Sequence, residues 1–195
     1  MRKSLLFVWA CMGLVCLVSA CKTSVKSKEW KLVWVENFDQ KNSFDESVWT
    51  KIPRGTSDWN NYMSYYDSCY AMQDGNLILR GIANHTQKND TAPYLTGGVY
   101  TKGKKLVTGC RVDIRAKLQA AKGAWPAIWM LPEKAEWPKG GEIDIMERLN
   151  HDRIAYQTTH SYYTHVLGIK DNPPHGGINK INPEEYNIYS VDIYP

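Results

Sequence analysis

Past its first 21 positions this sequence is poor in cysteine: Cys11, Cys16 and Cys21 belong to the leading segment, and only Cys69 and Cys110 follow. So few thiols exclude a small disulfide-stapled scaffold; Cys69 and Cys110 form either one bridge or two free thiols, and sequence does not decide between them. Charge of one sign is also scarce. The formal charge of +4 falls by two, to +2, without Arg2 and Lys3 of the leader. No dense Lys/Arg cluster remains, so nucleic acid is not an expected partner. Also missing are long apolar stretches of helical period and any internal repeat, which excludes helix bundles and solenoids.

The one long apolar run is at the start. Arg2 and Lys3 precede Leu5 to Val18, and Ser19 and Ala20 lead into Cys21. That is the pattern of a secretory leader and is short for a membrane-spanning helix. Val18-Ser19-Ala20-Cys21 resembles a bacterial lipobox, which implies lipidation of Cys21. Residues 1–20 are then the signal peptide, 21–29 a polar tether, and 30–195 the working domain. The expected location is the cell envelope, as an exported lipoprotein held to a membrane by its anchor and acting as a monomer.

The rest reads as β. Short runs rich in Val, Ile, Tyr and Trp recur: "WKLVWVENF", "GNLILRGIA", "GGVYTKGKKLVTGCRVDIRAKL", "AWPAIWMLP", "GEIDIME", "RIAYQTTHSYY" and "YNIYSVDIY". Asp74-Gly75, Gly97-Gly98, Pro138-Lys139-Gly140-Gly141 and Pro173-Pro174 separate them. Many short strands with Gly/Pro punctuation predict an all-β sandwich or jelly roll.

"WPKGGEIDIMERLN" holds the densest chemistry. Glu142, Asp144 and Glu147 fall within six residues, interleaved with Ile143, Ile145 and Met146. Crowded like charges raise one another's pKa and cost stability. On a strand, Glu142 and Asp144 share one face while Ile143 and Ile145 take the other. Strict alternation sends Met146 outward and Glu147 into the core, where an unpaired carboxylate is costly. One extra residue, a bulge near Ile145–Met146, corrects both faults and puts three acids on one cleft. Glu142 and Glu147 are then about four pleat steps, roughly 13 Å of backbone, apart, and side chains leaning together on a concave sheet can close that gap. A retaining glycosidase needs its two carboxyls roughly 5–5.5 Å apart. Asp144, between them, is placed to share a proton and hold the pair's pKa values apart.

An edge strand turning acids to water has the same pattern. The neighbourhood favours chemistry: Trp125, Trp129 and Trp137 all lie in the twenty residues before Glu142. Flat aromatic faces suit the C–H faces of sugar rings.

"GAWPAIWMLP" followed by "WPKGGEIDIME" resembles the catalytic region of glycoside hydrolase family 16, the laminarinase and lichenase group. "LVWVENFD…FDESVW" is similar to the family's opening strands, "DGNLILRG" to the next, and "YLTGGVYTKGKKLVTGCRVDIRAKL" to the long hairpin before the catalytic strand. The resemblance covers nearly all of 30–195. It implies a concanavalin A-like jelly roll with Glu142 as nucleophile, Glu147 as general acid/base and Asp144 as the assisting carboxylate. It also implies sugar subsites at Trp125, Trp129 and Trp137, a cleft hydrogen bond from His160, and Asn60 or, by preference, Asn61 on a cleft-edge loop. His160, His165 and His175 fit no standard zinc spacing, so no metal site is expected. The family's structural calcium is carried without residues, and no cofactor is required.

The implied activity is endo-hydrolysis of β-1,3- or mixed β-1,3/1,4-glucans. Alternatives are a glycan-binding protein of the same fold, or an inactive hydrolase fragment, and an agarase- or carrageenase-like galactan hydrolase of the same family. Two departures matter. Thr96-Gly97-Gly98 stands where many laminarinases carry a cleft arginine. And the 175 residues left after a 20-residue leader end at "YNIYSVDIYP", where family members continue through strands that close the sandwich. Unpaired sheet edges and exposed apolar faces are therefore expected.

Overall fold

The computed structural model describes residues 30–119 and 121–194. The chain divides into units Met1–Leu32 and Val33–Pro195. The expected leader, the tether and Cys21 lie outside the described residues. Every described strand belongs to the second unit.

The described residues hold twelve strands in chain order: β1 Thr50–Lys51, β2 Tyr70–Gln73, β3 Asn76–Leu79, β4 Gly81–Ala83, β5 Tyr94–Thr96, β6 Val99–Tyr100, β7 Arg111–Ala116, β8 Ala127–Met130, β9 Glu142–Glu147, β10 Ile154–His160, β11 Gly176–Lys180 and β12 Asn187–Asp192. They pair antiparallel as a four-stranded sheet, β11-β10-β9-β8, and as the pairs β1-β6, β12-β7, β2-β3 and β4-β5. The β2–β3 hairpin turns on Asp74-Gly75, both at positive φ (52° and 67°), the two-residue turn whose twist matches the flanking strands.

The core lies between two layers. In β7, Val112, Ile114 and Ala116 alternate inward against exposed Arg111, Asp113 and Arg115. Ile114, Ala116, Tyr189 and Val191 of the β7–β12 layer meet Ile128, Met130, Ile143, Ile145, Met146 and Ala155 of the four-stranded layer. Met146 is fully buried and Ile145 nearly so. Burying one such side chain stabilises by about 1.5–3 kcal/mol. The opposite face of the four-stranded sheet is free to carry polar groups.

Two sequence expectations are corrected. The opening run 30–38 forms no strand, because it has no ladder partner: Val33 and Val35 are exposed, and Glu36 is tied down instead by Phe38 N and Trp49 Nε1. The stretch before the catalytic region is not one hairpin, since β6 pairs with β1 while β7 pairs with β12. Strand β11 had no signal in its "GGINK" sequence and forms on the edge of β10. The sheets are open, as expected: Ile178 of β11 and Ile188 of β12 are 62% and 69% exposed. Cys69 and Cys110 are free thiols, Cys69 buried. At Thr96-Gly97-Gly98, a Cβ on Gly97 would stand 2.4 Å from the Cys69 carbonyl oxygen, so backbone packing fixes glycine there.

Candidate active site

Strand β9 carries the bulge where alternation demanded it. Against β10, Glu147 pairs with Tyr156 and Asp144 with Thr158, so Ile145 and Met146 together face the single residue Gln157. Gln157 Nε2 donates to the Ile145 carbonyl (3.0 Å), and Asn179 Nδ2 holds the other end of the Gln157 amide (2.7 Å). The same slip separates Ile128 and Trp129 of β8. As a result Ile145 and Met146 both enter the core, and Glu142, Asp144 and Glu147 share the other face.

Asp144 lies deepest, only 4% exposed, between two half-buried glutamates. Burial pushes its carboxyl up to about 7; the charges of Glu147 and then Glu142 add to this, and a hydrogen bond with Glu142 favours the protonated form. That hydrogen bond exists only when one of the two carboxyls holds a proton. From β10, His160 lies directly across from Glu142, and its Nε2 is 3.1 Å from Asp144 Oδ2. The nitrogen is close enough for a charge pair when protonated, yet Oδ2 has no aligned hydrogen-bond partner. Glu142, Asp144 and His160 each offer one ligand atom, all within 4.8 Å of one another.

The aromatic groups surround this trio unequally. Trp125 Nε1 donates to Glu147 Oε1 at 2.7 Å, and the half-exposed indole fixes that carboxylate. The segment bearing Trp125 is zipped to the end of β9: Arg148 N donates to Pro126 O, Asn150 N to Ala124 O, and Gly123 N to Asn150 Oδ1. Trp129 is the cross-strand partner of Asp144, and Trp59 packs edge-on against it with centroids 5.0 Å apart. Trp137 is half-exposed and meets His165 edge-on at 4.5 Å; His165 in turn lies 6.1 Å from His160. Gly141, at φ +80°, turns the chain from Trp137 into Glu142, and an added Cβ would also approach the His160 carbonyl at 3.4 Å.

The three acids, Trp125, Trp129 and His160 thus converge, and Trp137 joins them through His165. Asn61 is different. It shares the turn of Trp59, its N donates to Ser57 O, and its Oδ1 is buried without a hydrogen-bond partner; among the described residues no hydrogen bond links it to the acids. Sequence reading considered His165 only as a zinc ligand, with no part in the cleft, and gave Trp59 no definite role. His165 sits in the one-turn π-helix Tyr162–Val166, capped by Ser161 and Thr164, and the Ser-x-x-Thr spacing was the available signal. Two surface hollows, of about 230 and 470 Å3, are lined by none of these acids. A polymer-binding trough is open along its length, so the acid face does not need to be a closed cavity.

Known proteins resemble this chain in sequence and in fold. The profile of the "XgeA-like, catalytic GH16 domain" matches residues 108–185. The chain is 37% identical to a keratan-sulfate endo-1,4-beta-galactosidase of Sphingobacterium multivorum, over 87% of this chain and 40% of that protein. It is 29% identical to a beta-glucanase of Rhodothermus marinus, over 100% of this chain and 70% of that protein. Among solved structures, the laminarinase catalytic domain from Thermotoga maritima superposes with a TM-score of 0.70 at 30% identity, covering 85% of this chain and 70% of the other.

Proposed function

Because this chain belongs to glycoside hydrolase family 16, we propose that it is a retaining endo-glycosidase cutting β-1,3- or mixed β-1,3/1,4-glucans. One observation carries the reading: a bulge sets three carboxylates on one face, with the deepest able to share a proton with Glu142. Glu142 attacks the anomeric carbon, and Glu147, protonated and held by the Trp125 indole, gives its proton to the leaving oxygen. Glu147 then takes a proton from water, which displaces the glycosyl group from Glu142 with net retention. Asp144 draws its proton away from Glu142 as the nucleophile's negative charge falls on attack and leans it back as that charge returns. Trp125, Trp129 and Trp137 offer faces for sugar rings.

A second reading has its own observation. The relative of 37% identity is named as an endo-1,4-beta-galactosidase of keratan sulfate, so a galactan-type polymer is the rival substrate. Reducing-sugar release by the chain Lys22 to Pro195 on laminarin, cereal mixed-linkage glucan and keratan sulfate, side by side, separates the two. Release from either glucan supports the first reading, release from keratan sulfate alone the second. A cooperatively folded chain releasing sugar from none, while binding one of them, would favour a glycan-binding protein.

The lipobox-like Val18-Ser19-Ala20-Cys21 supports a membrane-tethered enzyme of the cell envelope. Palmitate labelling that is lost in Cys21→Ser tests the anchor.

A further inference from the structure

We propose that Glu142 and Asp144 of β9 and His160 of β10 form a binding site for a zinc-class divalent cation, which masks the nucleophile while it is bound. The masking rests on the hydrolase reading above; the binding itself does not.

The site is built by strand register. His160 lies across the ladder from Glu142, and Asp144 follows two residues along the same face. Their ligand atoms fall within 4.8 Å of one another, and Asp144 Oδ2 and His160 Nε2 are already 3.1 Å apart. Ligands about 2.0–2.2 Å from a tetrahedral zinc stand roughly 3.3–3.5 Å from one another. The Asp144–His160 pair therefore already spans close to one edge of that tetrahedron, and rotation of the longer Glu142 side chain closes the rest.

A second observation points to a ligand. The Asp144 side chain is only 3% exposed, and its buried Oδ2 makes no aligned hydrogen bond although the His160 Nε2 stands 3.1 Å away. A buried carboxylate oxygen aimed at an imidazole nitrogen without an aligned hydrogen bond leaves a place for a cation. No Lys or Arg forms a salt bridge with Glu142, Asp144 or Glu147 among the described residues. Imidazole with carboxylates selects zinc-class ions over magnesium or calcium, which favour all-oxygen sites. The His160 side chain is one-third exposed, giving an ion and a fourth, water ligand access from the cleft.

The test is zinc titration of the full chain by calorimetry, with Co2+ as a visible-spectrum probe, on the wild type, His160→Ala, Asp144→Asn and the control His175→Ala. Thermal melts establish that each variant folds. The proposal expects one Zn2+ per chain, tetrahedral Co2+ bands, and affinity roughly tenfold or more weaker in both site variants but unchanged in His175→Ala. Unchanged affinity in a folded His160→Ala or Asp144→Asn would overturn it. So would no binding up to about 1 mM, or a thiolate charge-transfer band placing the ion on a cysteine. Should His160→Ala fail to fold, His160→Gln takes its place. Zinc binding by a chain that cuts no polymer upholds the site and removes only its role in masking.

Discussion

Strands β9 and β11 both pair with β10, and they handle polarity in opposite ways. β11 is exposed at every residue, so its Asn179 and Lys180 are solvated at no cost to the fold. β9 carries three carboxylates on a strand whose middle is buried, with Asp144 at 4% exposure. Withdrawing a charge from water costs several kcal/mol even after relaxation. Nothing in the core requires that cost, since Ile143, Ile145 and Met146 already fill the inner face. The contrast teaches where to look for chemistry: at groups the fold would be more stable without.

The sharpest break in the comparison is at the acids. Glu147→Gln removes the proton donor, with an expected loss of about 10²–10⁴-fold in kcat, and Glu142→Gln should lose at least as much while still binding glycan. Steady-state kinetics beside a binding isotherm checks both. Next is packing: Met146→Ala opens a cavity under the bulge and should cost about 2–5 kcal/mol in denaturant melts. Ile178→Ala on β11, an exposed position, should stay within about 0.5 kcal/mol. Between those two in size, Trp125→Phe deletes the indole bond to Glu147 and should lower kcat/KM by roughly tenfold, the loss of a hydrogen bond of about 0.5–1.5 kcal/mol.

The effect most diagnostic of burial is on pH. Asp144 keeps its proton in the folded state up to about 7, whereas the unfolded value is 3.8. Between those values the folded state binds more protons, so stability falls as pH rises through that window. Asp144→Asn removes this contribution, and its melting temperature should decline less over the same pH range than that of the wild type.

The sequence made β9 legible because a 2-residue period and three acids cannot coexist on it without a bulge. Once the bulge was placed, the burial of Met146 and the common face of the acids followed. The resemblance carried the roles and His160's place on the next strand. What stayed hidden depends on contacts between distant segments. Trp59 reaches Trp129 across 70 positions, and the meeting of His165 with Trp137 depends on a turn after β10. The Asp144–His160 approach depends on a ladder register that the bulge itself resets. Likewise the opening run, rich in β-formers, forms no strand because propensity does not supply a partner.

The most direct test of the central claim is the anomeric configuration of the first product, followed by proton NMR during early hydrolysis of a glucan. Two carboxylates on one bulged strand acting as nucleophile and acid/base predict that the β-anomer appears first and mutarotates later. Initial release of the α-anomer would mean a single inverting displacement by water, and Glu142 would not be the nucleophile.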